Sequence, residues 1–234
     1  AEGAHTAAAL LRAAGFAEAR VAAASGAFVV VQASRSDAAL EEGRLDAWAT
    51  DAELVVEGAA LPWRVYPGLF AGGLLDVMTA VLLGNLPAPP PRAKILDFCC
   101  GAGSIAAALR LRAPGARLTL LDADAVALEA ARANVPNAKH VLSDGWAGLA
   151  EHKVFDWVVS NPPVHCGLQP DFTVLCALLG AARARLRPGG ALWLVAQVYV
   201  PVGQLESSAE LVFTDNRFSV WKVAARAEAA VADQ

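Results

Sequence analysis

From Lys94 onward, apolar runs that read as buried strands alternate with segments of helical period. No other feature constrains the fold as much. Lys94–Phe98, Arg117–Leu121, His140–Leu142, Val154–Val159, Ala191–Val200 and Phe218–Val223 are short and rich in Leu, Val and Ile. Between them, Ser104–Leu111, Ala125–Ala133 and the stretch carrying Phe172, Leu175, Cys176 and Leu179 space their apolar residues as a helix does. The last of these is expected to stop at Pro188-Gly189-Gly190. Strands separated by helices pair in parallel and need covering on both faces, so the spacing predicts an α/β fold around a largely parallel sheet.

Upstream, Leu74, Leu75, Met78, Val81 and Leu82 predict a helix ending near Gly84, and the four prolines of Pro87–Pro91 mark a linker. Residues 1–60 read as a small auxiliary α/β subdomain. It should hold a helix capped by Thr6 and running to Gly15, a strand at Phe28–Val31, an amphipathic helix at Asp37–Trp48 and a second β patch at Leu54–Val56. Residues 61–225 then form the main domain, and 226–234 an Ala-rich acidic tail. The chain opens on Ala1, as a trimmed piece of a longer chain would.

Composition narrows the function. Hydrophobic residues make up 56% and mean hydropathy is +0.42, but Ala supplies much of it. No run reaches the ~18 apolar residues of a spanning helix, so no membrane role is expected. Four Cys without a CxxC pair point to a reducing, intracellular compartment. A net charge of −4 argues against a protein that grips nucleic acid over its whole surface. His5, His140 and His152 lack metal-ligand spacing, so no metal is expected. His165-Cys166 reads more simply as a structural pair than as a nucleophile and its base.

Two loops carry chemistry. Asp97-Phe98-Cys99-Cys100-Gly101-Ala102-Gly103 links the first strand of the alternating region to its helix, where ligands sit in open α/β sheets. Asp122 ends the next strand, placed to accept from two ribose hydroxyls. The third glycine of a dinucleotide fingerprint is missing, which favours a nucleoside cofactor without phosphates. The second loop, Ser160-Asn161-Pro162-Pro163-Val164-His165, is stiff and lacks backbone donors at both prolines. Its acceptors suit an exocyclic amine: they can take the amine's N–H groups and stabilise charge developing on nitrogen.

This ordered set, from Asp97 through Gly101-Ala102-Gly103, Asp122 and Asp144 to Asn161-Pro162-Pro163, resembles the class I S-adenosylmethionine (SAM) dependent methyltransferases. Four stretches carry a closer resemblance to the small-domain, RsmC-like enzymes that methylate guanine N2 in small-subunit ribosomal RNA. They are Tyr66–Phe70 with Leu75-Asp76, the glycine turn, Ser160–Gly167, and the C-terminal pattern Leu186–Gly190, Val200-Pro201 and Asn216–Val220. The resemblance implies a Rossmann-like, mostly parallel seven-stranded sheet, with SAM as cofactor and ribosomal RNA as substrate. It implies that Gly101 and Gly103 border the methionine moiety with Asp97 at the turn's start. Asp122 would hold the ribose, Asp144 the adenine amine, Ala123 and Trp146 would flank the ring, and Phe70 would close over the cofactor. Asn161, Pro162 and Pro163 would present the target amine, with His165 nearby.

Two positions depart from the family pattern. Cys99 stands where glycine is usual, and Val164 where an aromatic residue stacks on the target base, leaving Phe172 or Trp146 to substitute. A row of Arg183, Arg185 and Arg187 with Arg110, Arg112 and Arg117 could track phosphates. A protein partner could supply RNA-binding surface that the short N-terminal region lacks. Adenine N6, a protein glutamine amide, or an inactive ribosome-associated module are the competing readings.

Overall fold

The computed structural model describes residues 7–9, 11–12, 16–25, 28–34 and 45–225. The chain divides into two units at Trp48/Ala49, twelve residues before the boundary expected from sequence. In the first unit, β1 (Ala17–Ser25) and β2 (Phe28–Ser34) form an antiparallel hairpin, and Leu45–Trp48 a single 3-10 turn. The helices expected from Thr6 to Gly15 and from Asp37 to Trp48 fall largely outside the described residues, as does the tail.

The second unit opens with the hairpin β3 (Thr50–Val56) and β4 (Ala59–Val65). Leu54, Val56 and Trp63 are buried in the main core, which is why this hairpin belongs here and not with the N-terminal subdomain. Asn134 fastens it: its side-chain oxygen accepts from Arg64 N at 2.7 Å, and its amide nitrogen donates to the Arg64 and Ala102 carbonyls. A short turn, Phe70–Gly73, leads to α1 (Val77–Asn85), capped by Asp76.

Next come β5 (Lys94–Phe98), α2 (Ser104–Arg112), β6 (Arg117–Asp122), α3 (Ala125–Asn134), β7 (Lys139–Leu142) and β8 (Phe155–Ser160). A two-residue ribbon pairs β9 (His165–Cys166) with β10 (Gln169–Pro170), followed by α4 (Thr173–Ala182) and β11 (Leu186–Gln197). The short α5 (Val202–Leu205) precedes β12 (Glu210–Thr214) and β13 (Phe218–Ala224). The seven-stranded sheet runs β12-β13-β11-β8-β5-β6-β7, with β13 antiparallel to both of its neighbours and the rest parallel. The Rossmann-like, seven-stranded expectation holds.

Side-chain alternation builds two cores from one sheet. Ile95, Leu118, Leu120, Trp157, Val159, Trp193 and Val195 face α1, α2 and α3, whereas Leu96, Phe98, Leu121, Val158, Leu192 and Leu194 face α4. Because β5 is flanked by β6 on one side and β8 on the other, the chain reverses its winding direction between β5 and β8. That is where an open α/β sheet leaves a crevice at its carboxyl ends.

One expectation fails. Pro188-Gly189-Gly190 does not end a helix; it lies inside β11, where the six residues from Leu186 to Ala191 oppose only the three from Phe155 to Trp157. Helix α4 ends earlier, at Ala182, followed by the 3-10 turn Arg183–Arg185. The glycine preference here comes from close backbone approach: a Cβ on Gly190 would stand 2.7 Å from the Asp156 carbonyl oxygen and 2.9 Å from that of Arg187. Gly190→Ala therefore destabilises the domain by about 3 kcal/mol, measured by urea unfolding.

Candidate active site

Phe98 and Ser160 are direct partners across the β5–β8 ladder, and the Ser160 hydroxyl donates to the Phe98 carbonyl at 2.6 Å. The glycine turn and the Asn-Pro-Pro loop thus leave adjacent parallel strands at the same level. Between them and the end of β6 lies a cavity of about 460 Å³, within the range of small-molecule sites. Gly101, Asp122, Ala123, Asp144, Asn161, Pro162, Pro163, His165 and Phe70 all line it.

Asp122 has two tasks. Its Oδ2 accepts from Gly101 N at 2.8 Å and its Oδ1 from Asp124 N at 2.9 Å, so the carboxylate clamps the glycine turn to the end of β6. The remaining lone pairs face the cavity. Asn161 is held as firmly. Its Nδ2 donates to Asp76 Oδ2 and to Thr79 Oγ1, both at 3.1 Å. A carboxylate only accepts, so the amide nitrogen must point to Asp76 and the amide oxygen is left for the cavity. The Asp76 Oδ2 also caps α1 by accepting from Met78 N and Thr79 N. Asp76 entered the sequence reading only as part of the Leu75-Asp76 stretch, with no role assigned, and Thr79, like Gln197 and Tyr199 at the mouth, was missed; the only trace of Asp76 and Thr79 was an acid and a hydroxyl three apart at a helix start.

At the mouth, the Tyr199 hydroxyl donates to Gln197 Oε1 at 2.6 Å and lies 2.6 Å from His165 Nε2. Phe70 is 69% exposed and Tyr199 51%, so two aromatic faces are open at the rim.

The profile of a family described as "Methyltransferase small domain" matches residues 61–222. The chain belongs to the methyltransferase small-domain family. A ribosomal RNA small subunit methyltransferase C of Pseudomonas aeruginosa is 44% identical over 138 residues, 57% of this chain and 41% of that protein. The corresponding protein of Klebsiella pneumoniae is 37% identical over 166 residues, 68% of this chain and 48% of its own length. The chain thus spans about half the length of the curated relatives it matches. Among solved structures, a 16S rRNA N2 G1207 methyltransferase from T. thermophilus, in complex with AdoMet and guanosine, superposes with a TM-score of 0.73 at 22% identity, covering 93% of this chain and 61% of that one.

Four of the residues expected at the site lie away from the cavity lining. Trp146 turns inward: its ring lies 4.8 Å from that of Phe98, its Nε1 donates to the Ala177 carbonyl at 3.0 Å, and it is not among the residues lining the cavity. Phe172 likewise packs against the core under α4. Gly103 starts α2 at φ +93°, and a Cβ there would stand 3.1 Å from Val135 and 3.2 Å from Leu120; its role is helix–sheet packing. Asp97 is 1% exposed beneath the turn, with Oδ2 accepting from Ala106 N at 3.0 Å and Oδ1 unpartnered. It supports the loop from behind.

Burial raises the Asp97 carboxyl to about 8 against the opposing Ala106 hydrogen bond, with nearby Asp122 adding to the rise. The folded state thus holds a proton that the unfolded chain loses near its ordinary 3.8. The stability this group contributes is complete below that lower value and is lost as pH rises through the higher one. Asp97→Asn keeps an acceptor for Ala106 and removes the titration. Wild type should lose on the order of 2–3 kcal/mol between pH 6 and pH 8 that the variant retains, read from unfolding curves across that range.

Cys99, at φ +60°, takes the left-handed conformation glycine would adopt freely, at about 1–2 kcal/mol. Its thiol is pushed up to about 12, by burial first and then by Asp122 and Asp97. Val164 is buried in the second core and also lines the cavity. Four of the six arginines expected to track phosphates are bonded within the fold, and Arg117 and Arg187 stand at the amino ends of β6 and β11. Arg112 is spent on the Leu83 and Leu86 carbonyls and Glu57, Arg185 on Ala150 and Glu151, Arg110 on Pro114 and Asn137, and Arg183 on Ser208.

Proposed function

We propose that this chain is a SAM-dependent methyltransferase acting on the exocyclic N2 amine of guanine in ribosomal RNA. The observation that carries the reading is the fixed Asn161 amide oxygen, aimed into the same cavity that Asp122 and Gly101 border. The residues fit SAM. The cavity volume suits a nucleoside with a short side chain, and Asp122 keeps lone pairs for ribose hydroxyls. Asp144 is exposed at the cavity wall to accept from an adenine amine. Bound there, SAM supplies a methyl group made electrophilic by cationic sulfur.

The Asn161 side chain and the loop carbonyls accept the amine's two N–H groups and turn its lone pair towards the glycine turn. They also stabilise the positive charge that grows on nitrogen. An amine on an aromatic ring is a poor nucleophile, so alignment supplies most of the acceleration, and no strong base is required. Pro162 is buried and Pro163 exposed, so the rigid ledge is anchored on one side and open to substrate on the other. The same exocyclic-amine chemistry on adenine N6 or a glutamine amide is the second reading.

Gln197 favours guanine over adenine. A hydroxyl has one proton; having donated it to Gln197, Tyr199 accepts from His165 Nε2–H. This relay leaves the Gln197 amide nitrogen as a donor at the cavity wall, suited to guanine's O6 and not to adenine's 6-amine. His165 thereby serves as a positioning residue, through Tyr199. Gln197→Leu should lower kcat/KM on guanine-containing RNA about tenfold, the worth of one lost hydrogen bond to a buried acceptor.

The function is tested by incubating ribosomal RNA with the protein and methyl-deuterated SAM, then digesting to nucleosides for mass spectrometry. Labelled N2-methylguanosine is the expected product. Label in N6-methyladenosine alone, or in no nucleoside, would refute the proposal.

A further inference from the structure

The sheet has a second end, and its unspent positive charge collects there. At the amino ends of adjacent strands stand Arg187 on β11, Lys153 before β8, Lys94 on β5 with Arg92 just before it, and Arg117 on β6. Lys94 and Arg117 are direct partners across the β5–β6 ladder. Lys94, Arg117 and Lys153 line a hollow of about 190 Å³ with Thr119 and Phe155. Arg92 and Arg187 line a neighbouring one of about 360 Å³.

Asp156 is the carboxylate among them. One of its oxygens accepts from the Lys94 backbone N–H at 2.6 Å and the other lies 3.5 Å from the Arg187 guanidinium, so it is already occupied. Among the described residues, the side chains of Arg92, Lys94, Arg117 and Lys153 make no hydrogen bond or ion pair. Most other cations of this unit are tied to carbonyls or carboxylates, as Arg64, Arg110, Arg112, Arg132, Arg183, Arg185 and Lys222 are. The Lys94 ammonium is held below its ordinary range, first by Arg187, then by burial, then by Arg117 and Lys153, with Asp156 opposing. Like charges this close cost stability, and of these five cations only Arg187 has an ion-pair partner among the described residues, Asp156.

We propose that this foot of the sheet is a docking surface for the phosphodiester backbone of the substrate RNA, at a segment away from the target nucleotide. The inference rests on the RNA reading of the active site. A row of cations across four adjacent strands, about 14 Å at the ~4.8 Å strand spacing, matches successive phosphates of a polymer better than one small anion. Strands of five or six residues separate this foot from the catalytic cavity by about 17–20 Å, so one RNA can reach both. In a chain of net charge −4, these cations let the RNA be gripped locally without a basic surface overall.

The test uses the full chain and the double variant Lys94→Gln/Lys153→Gln, with a fluorescently labelled single-stranded RNA of about twenty nucleotides, long enough to span both sites. Anisotropy should show the variant binding about tenfold more weakly at moderate salt, with the slope of log affinity against log salt reduced by about 1.4 for two lost phosphate contacts. The variant's melting temperature should stay level or rise, since repulsion is relieved, and its calorimetric SAM affinity should not change. Unchanged RNA affinity and salt slope would overturn the proposal. So would inorganic phosphate protecting the foot at concentrations that leave RNA binding intact, which would mark a small-anion site. Foot-dependent RNA binding without any methyl transfer would count against the catalytic reading and leave this surface standing.

Discussion

Asn161→Ala lowers the methyl-transfer rate about 100- to 1,000-fold while SAM affinity stays at the wild-type level. That magnitude is typical when one preorganised group facing developing charge is removed. The split follows from geometry. In the proposed reading Asn161 contributes an amide oxygen to the substrate, whereas the carboxylate that meets the cofactor belongs to Asp122, and both line the cavity. Asp76→Asn gives a smaller loss of the same kind, about tenfold, because the acceptor that orients the Asn161 amide becomes ambiguous. Single-turnover rates with saturating SAM measure both. A fall in SAM affinity with an unchanged rate would assign Asn161 to the cofactor instead.

Asp122→Asn produces the opposite split, weakening SAM binding at least about 100-fold. Two hydrogen bonds from ribose hydroxyls to a charged acceptor are at stake, each worth about 1.5–3 kcal/mol. The loss extends to the protein itself. An amide in place of the carboxylate sets an NH₂ against either the Gly101 or the Asp124 N–H, both of which now donate to Asp122. The turn therefore loosens as the ribose loses its partner. Isothermal titration with SAM reads the first effect, and hydrogen exchange at Gly101 the second. Tight SAM binding by the variant would place the ribose elsewhere.

Much of this was legible in the chain. Alternating apolar runs sufficed for the parallel sheet, because strand and helix periods differ and each run was bounded by Gly, Pro or polar residues. The two loops were legible because glycines and consecutive prolines are rare combinations with narrow physical uses. Strand β12 was not foreseen, since its residues are mostly exposed and lack the alternation of a half-buried edge. Pro188-Gly189-Gly190 misled because the same residues end helices and make bulges; only the contact with the Asp156 carbonyl distinguishes the two.

The site divided along similar lines. Residues that meet a ligand through loop geometry, such as Asp122 and Asn161, carry a local signature. Residues that act through another, such as Thr79 and Tyr199, converge from separate elements and carry none, as does Gln197 at the cavity wall. Trp146 was misplaced because a tryptophan beside an acidic loop reads equally as ring-stacking or as core, and its indole N–H found the Ala177 carbonyl. Of the six arginines read as a phosphate track, Arg110, Arg112 and Arg185 bond backbone carbonyls and Arg183 bonds Ser208, while Arg117 and Arg187 stand at the amino ends of β6 and β11, an accounting visible only in three dimensions.

The most direct measurement is a crystal structure of the protein soaked with guanosine and a non-reactive SAM analogue. The analogue's amino-acid end should lie against Gly101 with its ribose on Asp122. The guanine N2 amine should donate to the Asn161 oxygen and lie about 3–3.5 Å from the position that SAM's methyl carbon would take. An analogue bound outside this cavity, or a guanine whose N2 faces away from Asn161, would contradict this arrangement.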